Sequence, residues 1–205
     1  MANSTPKTQI TGLILCGGAG QRMGGRDKGL IEFQGRALVD IAIDRLQPQV
    51  QSIMISANRH TDAYQQRGLC VIQDDGFHPN QQRFEGPLAG ILSGLHAMQT
   101  EWLMVVPCDC PRFPADIVTR LYRGCQTNTE LDSCATQNVR AAYVKDHPVF
   151  ALIPRAAAPR LETYLASGQR KLGQWLESIG AVAVTVDDAF AFQNMNTPDD
   201  LSKFQ

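Results

Sequence analysis

Four short apolar runs mark the first half of the chain: Gly12 to Cys16, Ser52 to Ser56, Leu69 to Ile72 and Trp102 to Val106. Each is short, partly β-branched and closed by Gly, Asn, Asp or Pro, which predicts buried strands. Amphipathic stretches fall between them. Ala37 to Leu46 sets Leu38, Ile41, Ala42 and Leu46 near helical spacing, and Gly90 to Met98 does the same with Ile91, Leu92, Leu95 and Met98. Strand and helix therefore alternate, and the expected fold is Rossmann-like α/β, a mainly parallel sheet with helices on both faces.

The second half is less regular. Val139 to Val144, Val149 to Ile153 and the alternating Ala181 to Val186 read as strands, and Leu161 to Ala166 and Leu172 to Ser178 read as helices. Thr197-Pro198-Asp199-Asp200 supplies an N-cap, a proline in the first turn and two acids, opening a terminal helix to Phe204. The expectation is an irregular α/β insertion in this half. No repeat, low-complexity stretch or Gly/Ser-rich linker divides the 205 residues, so one domain spanning 1–205 is expected.

Composition narrows the function classes. Nineteen Lys and Arg stand against 20 Asp and Glu, a net charge of −1, which lacks the basic footprint of non-specific nucleic-acid binding. No apolar stretch reaches the roughly 20 residues of a membrane span, and Met1 to Gln9 is polar without a signal-peptide core. The protein is expected to be soluble and cytoplasmic, with no membrane or nucleic-acid partner. Its six cysteines, Cys16, Cys70, Cys108, Cys110, Cys125 and Cys134, are scattered without a CxxC pair and are expected as reduced thiols.

The most informative segment follows the first predicted strand: Leu15-Cys16-Gly17-Gly18-Ala19-Gly20-Gln21-Arg22-Met23-Gly24-Gly25-Arg26-Asp27-Lys28-Gly29. Glycines let backbone N–H groups approach phosphate oxygens, and Arg22, Arg26 and Lys28 add cations, so the loop is of phosphate-binding type at the place where open α/β sheets bind ligands. The dinucleotide fingerprint fails because Met23 stands at its last glycine. The Walker A pattern fails because Lys28 sits between Asp27 and Gly29.

Asp109 follows the apolar run Trp102 to Cys108, which delivers its carboxylate to the carboxyl end of a buried strand. Magnesium prefers hard oxygen and takes one or two carboxylates beside substrate phosphates and water, so a single such Asp suffices as its ligand. Lys28, at the end of the glycine-rich loop, is a candidate cation for bound phosphate. Arg22 either assists on the phosphates or packs over the loop, and Arg26 reads as a solvated charge. Asn58 and Asp74, each ending a strand on the expected face, are candidate hydrogen-bonding groups for a ligand. Asp74 and Asp75 alternatively form an Asx-turn.

Gly17 to Lys28, read as Gly-Gly-x-x-x-Arg-Met-Gly-Gly-x-Asp-Lys, resembles the signature of the molybdenum cofactor guanylyltransferases, within the wider group of nucleotidyltransferases. Asn58, Val71-Ile72-Gln73-Asp74, Gly86-Pro87-Leu88-Ala89-Gly90, Pro107-Cys108-Asp109-Cys110-Pro111, Asp146-His147-Pro148 and Asn194-Met195-Asn196-Thr197-Pro198 match further family segments in order. Cys16 stands where the family usually has Ala, and Gln169 where it usually has Glu. The resemblance implies transfer of GMP from GTP to the terminal phosphate of molybdopterin or Mo-molybdopterin, with Mg²⁺ as cofactor and pyrophosphate as the second product. It further implies transient contacts with molybdenum insertion proteins and apo-molybdoenzymes. On this reading residues of about 10–112 bind the nucleotide through Leu15, Cys16, Gly17, Gly18, Arg22, Lys28, Asn58, Asp74 and Asp109. Lys28 and Asp109 are then catalytic, Lys28 holding the triphosphate and offsetting charge at the α-phosphorus and Asp109 serving as the metal ligand. Asn58 and Asp74 are the candidates for base recognition, Asp74 meeting either the base, a carboxylate suiting the N–H donors of guanine, or the ribose. Residues of about 113–205 bind the acceptor, with His147, Arg170, Lys171, Asn194 and Asn196 nominated as polar or cationic contacts. For His147, Asn194 and Asn196 a purely structural role, capping a strand or fixing a turn, is the alternative. Cytidylyl or sugar-nucleotide transfer, or a non-catalytic carrier of molybdopterin or GTP, are the competing functions.

Overall fold

The computed structural model describes residues 6–17, 27–74, 86–126, 140–188 and 190–195. Strand β1 (Ile10–Leu15) is buried along all but its last residue. A small hairpin, β2 (Glu32–Phe33) and β3 (Arg36–Ala37), turns through Gln34 at φ 52° and Gly35 at φ 75°. Two successive left-handed residues give the turn a twist that matches a two-residue hairpin, and glycine meets the second position without strain. The chain continues through α1 (Leu38–Leu46), β4 (Ser52–Ser56), α2 (Thr61–Gln65), β5 (Cys70–Ile72), α3 (Pro87–Ala97), β6 (Trp102–Pro107) and α4 (Ile117–Gln126). It then adds β7 (Ala142–Val144), β8 (His147–Pro154), α5 (Ala158–Ala166), α6 (Leu172–Ser178) and β9 (Val182–Val184).

Seven of these strands form one sheet in the order β5-β4-β1-β6-β8-β7-β9. β5, β4, β1 and β6 run parallel, whereas β8 lies antiparallel to both β6 and β7, and β9 rejoins β7 in parallel. The sheet is thus mainly parallel on its first half and mixed on its second, as the alternating and then irregular pattern predicts. The antiparallel strand arises because β7 and β8 are joined by a tight turn, with Asp146 at φ 68°, too short for the crossover that parallel neighbours need.

Residue alternation in the central strands divides the core in two. Ile10, Ile14, Met104 and Val106 face α1 and α4, packing on Val39, Ala42, Leu46, Ile117 and Leu121. Leu13, Leu103 and Val105 face the opposite layer, with Leu88, Ile91 and Leu95 of α3, Leu161 of α5 and Trp175 of α6. Helices therefore cover both faces. The two central glycines mark close approach rather than unusual backbone: a Cβ at Gly12 would lie 2.6 Å from Leu46 Cδ2, and one at Gly94 would lie 2.8 Å from Leu13 Cδ2.

Several boundaries differ from the sequence reading. α3 begins at Pro87 rather than at Gly90, since proline suits the first helical turn, and α5 likewise starts early, with Pro159 in its first turn. Leu69 precedes its strand, and β6 extends to Pro107. The sequence reading omits α2, α4 and the β2–β3 hairpin. α4 nonetheless carries a helical signal, for Ile117, Val118, Leu121 and Cys125 are its buried face. Val139 and the terminal helix expected at Thr197 to Phe204 lie outside the described residues.

Candidate active site

The four parallel strands β1, β4, β5 and β6 all end at one edge of the sheet, and β8, running the other way, begins there. Gly17, Asn58, Asp74, Asp109 and His147 therefore share this edge. After β1 the chain crosses to β4 on one side, and after β6 it moves on toward β8 and β7 on the other. The crevice between such diverging connections is where open α/β sheets bind ligands.

Lys28 opens a single 3₁₀ turn, Lys28–Leu30, capped by Asp27. Its Nζ donates to Asp109 Oδ2 at 3.1 Å, with the two side chains 28% and 13% exposed. The ion pair is thus largely shielded yet open to the crevice. Asp27, buried, accepts from the Gly29 N–H at 3.2 Å and from the Tyr64 hydroxyl at 2.5 Å through the same Oδ1. A buried carboxylate requires such donors, because an unpaired one is strongly disfavoured away from water.

Asp109 is tied to the second half of the chain. Its carbonyl accepts from Met195 N–H at 2.8 Å. The neighbouring Cys110 thiol contacts Asn194 Oδ1 at 2.7 Å and, more distantly, Asp109 Oδ1 at 3.8 Å. Burial, and then the Asp109 charge, push the Cys110 thiol well above its ordinary range, so it keeps the proton it donates. Met195 also packs with Ile31, Phe33 and Leu38, just downstream of Lys28. Residues 190–195 therefore brace Lys28 and Asp109 together. His147 stacks on Phe192 of the same segment, ring centroids 4.9 Å apart, which brings His147 and Asn194 toward Asp109.

Across β1, Asn58 and Asp74 hold each other: Asn58 Nδ2 donates to Asp74 Oδ2 at 2.7 Å, and Asp74 N–H donates to Asn58 Oδ1 at 2.8 Å. This reciprocal pair ties the ends of β4 and β5 together; Asp75, and with it the alternative Asx-turn through Asp74 and Asp75, lies outside the described residues. Gly90 of α3 lies directly beneath, where a Cβ would stand 2.5 Å from Ser56 Oγ and 3.2 Å from Asp74 Oδ1.

The remaining nominated residues are distributed as follows. Gly17 is exposed at the end of β1, and a Cβ there would meet nothing within 4 Å. Leu15 is half-buried, and Cys16 is buried beside Cys108, whose thiol is held protonated by its hydrogen bond with Cys16 and by burial. Arg170 donates to the carbonyls of Leu165 and Gln169, at the carboxyl end of α5. The Lys171 carbonyl accepts from Tyr164, and a Cβ on Gly173, two residues on, would stand 4.0 Å from Pro148, next to His147. Gly18, Arg22 and Asn196 lie outside the described residues, as does Arg26.

Among the described residues no group of three or more His, Cys, Asp or Glu side chains could hold a metal ion. The Asp109 carboxylate, opening on the crevice with the Asn194 amide oxygen close by, offers the few hard oxygens that Mg²⁺ takes when phosphates and water complete its shell. The donor set fits that metal. Asp27, Tyr64 and Phe192 were not singled out by sequence reasoning. Asp27 had a signal in its position beside Lys28, whereas Tyr64 and Phe192 are ordinary aromatic residues until the fold brings them to the site.

A family model, the MobA-like NTP transferase domain, matches residues 12–182. The chain is 43% identical over 197 residues to the molybdenum cofactor guanylyltransferase of Bordetella petrii, covering 96% of this chain and 97% of that one. It is 43% identical over 199 residues to the molybdenum cofactor guanylyltransferase of Serratia proteamaculans, covering 96% and 94%. Among solved structures, the molybdopterin-guanine dinucleotide biosynthesis protein A of Archaeoglobus fulgidus superposes with a TM-score of 0.71 at 23% identity, covering 94% of this chain and 95% of that one. At that identity the likeness concerns the fold.

Proposed function

The chain belongs to the MobA-like NTP transferase family, and from that premise we propose that it transfers the GMP unit of GTP to the terminal phosphate of molybdopterin, releasing pyrophosphate. The observation that carries the reading is the Lys28–Asp109 pair, a cation from the 3₁₀ turn downstream of β1 and a carboxylate just past the end of β6, facing one crevice. The curated relatives, named for guanylyl transfer over nearly their full lengths, support the choice of GTP and of a molybdenum-cofactor acceptor.

The chemistry is a displacement at phosphorus. An oxygen of the acceptor phosphate bonds to the α-phosphorus while the bond to the bridging oxygen of pyrophosphate breaks, and that oxygen leaves with the electron pair. Lys28 holds the triphosphate and offsets the charge that accumulates as pyrophosphate departs. Asp109 would hold Mg²⁺, which when bound would supply further charge neutralisation. The main chain at Leu15, Cys16 and Gly17, with Gly18 and Arg22, lines the phosphates. The Asp74 carboxylate, oriented by Asn58, accepts from the N–H groups of guanine. His147, Lys171, Asn194 and Asn196 take the acceptor, with Arg170 beside them. No covalent intermediate is required, because orientation and charge neutralisation supply the acceleration.

In this reading residues 10–112 carry the nucleotide and 113–205 the acceptor within one domain, and the product passes to proteins that insert or use the cofactor. No helix among the described residues is long and apolar enough to cross a membrane.

The test is calorimetric titration of GTP and CTP with and without Mg²⁺, repeated on Lys28→Ala, beside pyrophosphate release with molybdopterin. GTP binding far tighter than CTP, weakened in the variant, is expected, with turnover reduced about 10²- to 10³-fold. Preference for CTP, or nucleotide binding without pyrophosphate release, would overturn the reading.

A further inference from the structure

Resting on the assignment of Lys28 as the triphosphate cation, we propose that Tyr64 is a positioning residue for this reaction, setting the Lys28 turn through Asp27. Tyr64 is fully buried on α2, so its side chain does not reach the crevice itself. Its hydroxyl instead donates to Asp27 Oδ1 at 2.5 Å, and the same oxygen accepts from Gly29 N–H, so the contact straddles Lys28 on both sides in sequence.

The phenol is itself held. Arg67 lies over the Tyr64 ring, 5.8 Å from its centroid. It grips Asp40 of α1 with two nitrogens, Nε at 2.5 Å and Nη2 at 3.1 Å, and donates to the Ala63 carbonyl through Nη1 at 2.6 Å. A continuous path thus runs from the α1 surface through Arg67, Tyr64 and Asp27 to the turn that carries Lys28. Burial and the surrounding acidic groups push the Tyr64 hydroxyl far above its ordinary range, so it stays a donor to Asp27 throughout neutral pH.

Packing gives the arrangement its rigidity. A Cβ at Gly29 would stand 2.4 Å from the Tyr64 oxygen and 3.2 Å from its Cε1, so the turn seats directly on the phenol. A phenylalanine would fill nearly the same volume, and burying a hydroxyl is unfavourable without a partner. What the oxygen adds over a phenyl ring is the hydrogen bond to Asp27. Its function is therefore sought in Lys28, whose displacement by about an ångström would lower the rate by up to about 10²-fold.

The experiment compares Tyr64→Phe, Lys28→Ala and the double variant for GTP affinity, GMP affinity and pyrophosphate release, with Mg²⁺ present and below each variant's measured unfolding midpoint. Tyr64→Phe is expected to lower kcat about 10-fold or more and to weaken GTP while leaving GMP affinity unchanged, since GMP lacks the phosphates that depart. In the Lys28→Ala background the same substitution is expected to change GTP affinity no further, because residues acting through one group are non-additive. Gly29→Ala, which drives the hydroxyl off Asp27 with both partners retained, is expected to reproduce the split between GTP and GMP. Equal losses for Tyr64→Phe in both backgrounds, equal weakening of GTP and GMP, or wild-type activity in Tyr64→Phe would each overturn the proposal. Failure of Lys28→Ala to affect GTP at all would instead remove the functional reading on which it rests.

Discussion

Gly90→Ala tests how the proposed base site is built. In an α-helix interior alanine is favoured over glycine by about 0.8–1 kcal/mol, so on helix propensity alone the variant is stabilised. The structure opposes that gain. The new methyl would stand 2.5 Å from Ser56 Oγ, 3.2 Å from Asp74 Oδ1 and 3.3 Å from Leu15 Cδ2. Ser56 is 4% exposed on β4, so its hydroxyl has little room to retreat. Overpacking of this kind costs about 1–3 kcal/mol. Set against the helix term, the net expectation is destabilisation of up to about 2 kcal/mol. At about 2–4 °C per kcal/mol for a chain of this size, the melting midpoint falls by a few degrees. The functional effect is larger, because the methyl presses on the Asp74 carboxylate: GTP affinity weakens, while inorganic pyrophosphate, which has no base, binds as in the wild type. Thermal unfolding and calorimetric titration read the two effects separately. A variant that is more stable than wild type and keeps full GTP affinity would refute the packing argument.

Asp109→Asn is expected to reduce pyrophosphate release to the background while the circular dichroism spectrum is kept, because the Met195 contact to Asp109 uses the main chain. Met195→Ala, removing a fully buried side chain, is expected to cost about 2–5 kcal/mol by urea unfolding and to raise the KM for the acceptor more than that for GTP, since it loosens the segment holding Asn194. Alkaline stability follows from the thiols. Burial pushes Cys125 from its ordinary 9.0 up to about 12, and Cys108 and Cys110 are raised too, so the folded chain binds protons that the unfolded chain has released above pH 9. Their contribution is full below about pH 9 and is lost as pH rises toward 12, by up to about 1.4 kcal/mol per unit for each thiol. A midpoint flat from pH 8 to 11 would contradict this. Alkylation at pH 8 should label Cys70, which is exposed, well before Cys16, Cys108, Cys110 or Cys125.

The layered sheet was legible because its central strands are short apolar runs whose burial outweighs local propensity. Ser52–Ser56 agrees to the residue, as does Leu172–Ser178. The residues at the carboxyl edge follow from the same runs: once Trp102 onward is a parallel strand, Asp109 must emerge beside the end of β1. What sequence did not convey depends on contacts between distant segments. Tyr64 lies 37 residues from Asp27, and nothing in its neighbours marks it for a buried hydroxyl bond. Phe192 reads as one more core aromatic until His147 stacks on it. The β2–β3 hairpin has only two residues per strand, too few to generate a period.

The way Asp109 is held bears on how the two substrates meet. Both edges of its environment are fixed by groups that are not ligands: Met195 on the main chain, and Cys110, whose thiol contacts both Asn194 and Asp109. Lys28 meets the same carboxylate from a turn whose downstream residue Ile31 packs with Met195. A movement of residues 190–195 on meeting the acceptor would therefore be felt at the carboxylate and at the lysine together. The nucleotide half and the acceptor half share this one brace rather than separate scaffolds. Coupling of that kind requires no long pathway, only the packing of one buried methionine, and its energetic limit is the few kcal/mol that a buried side chain of that size contributes.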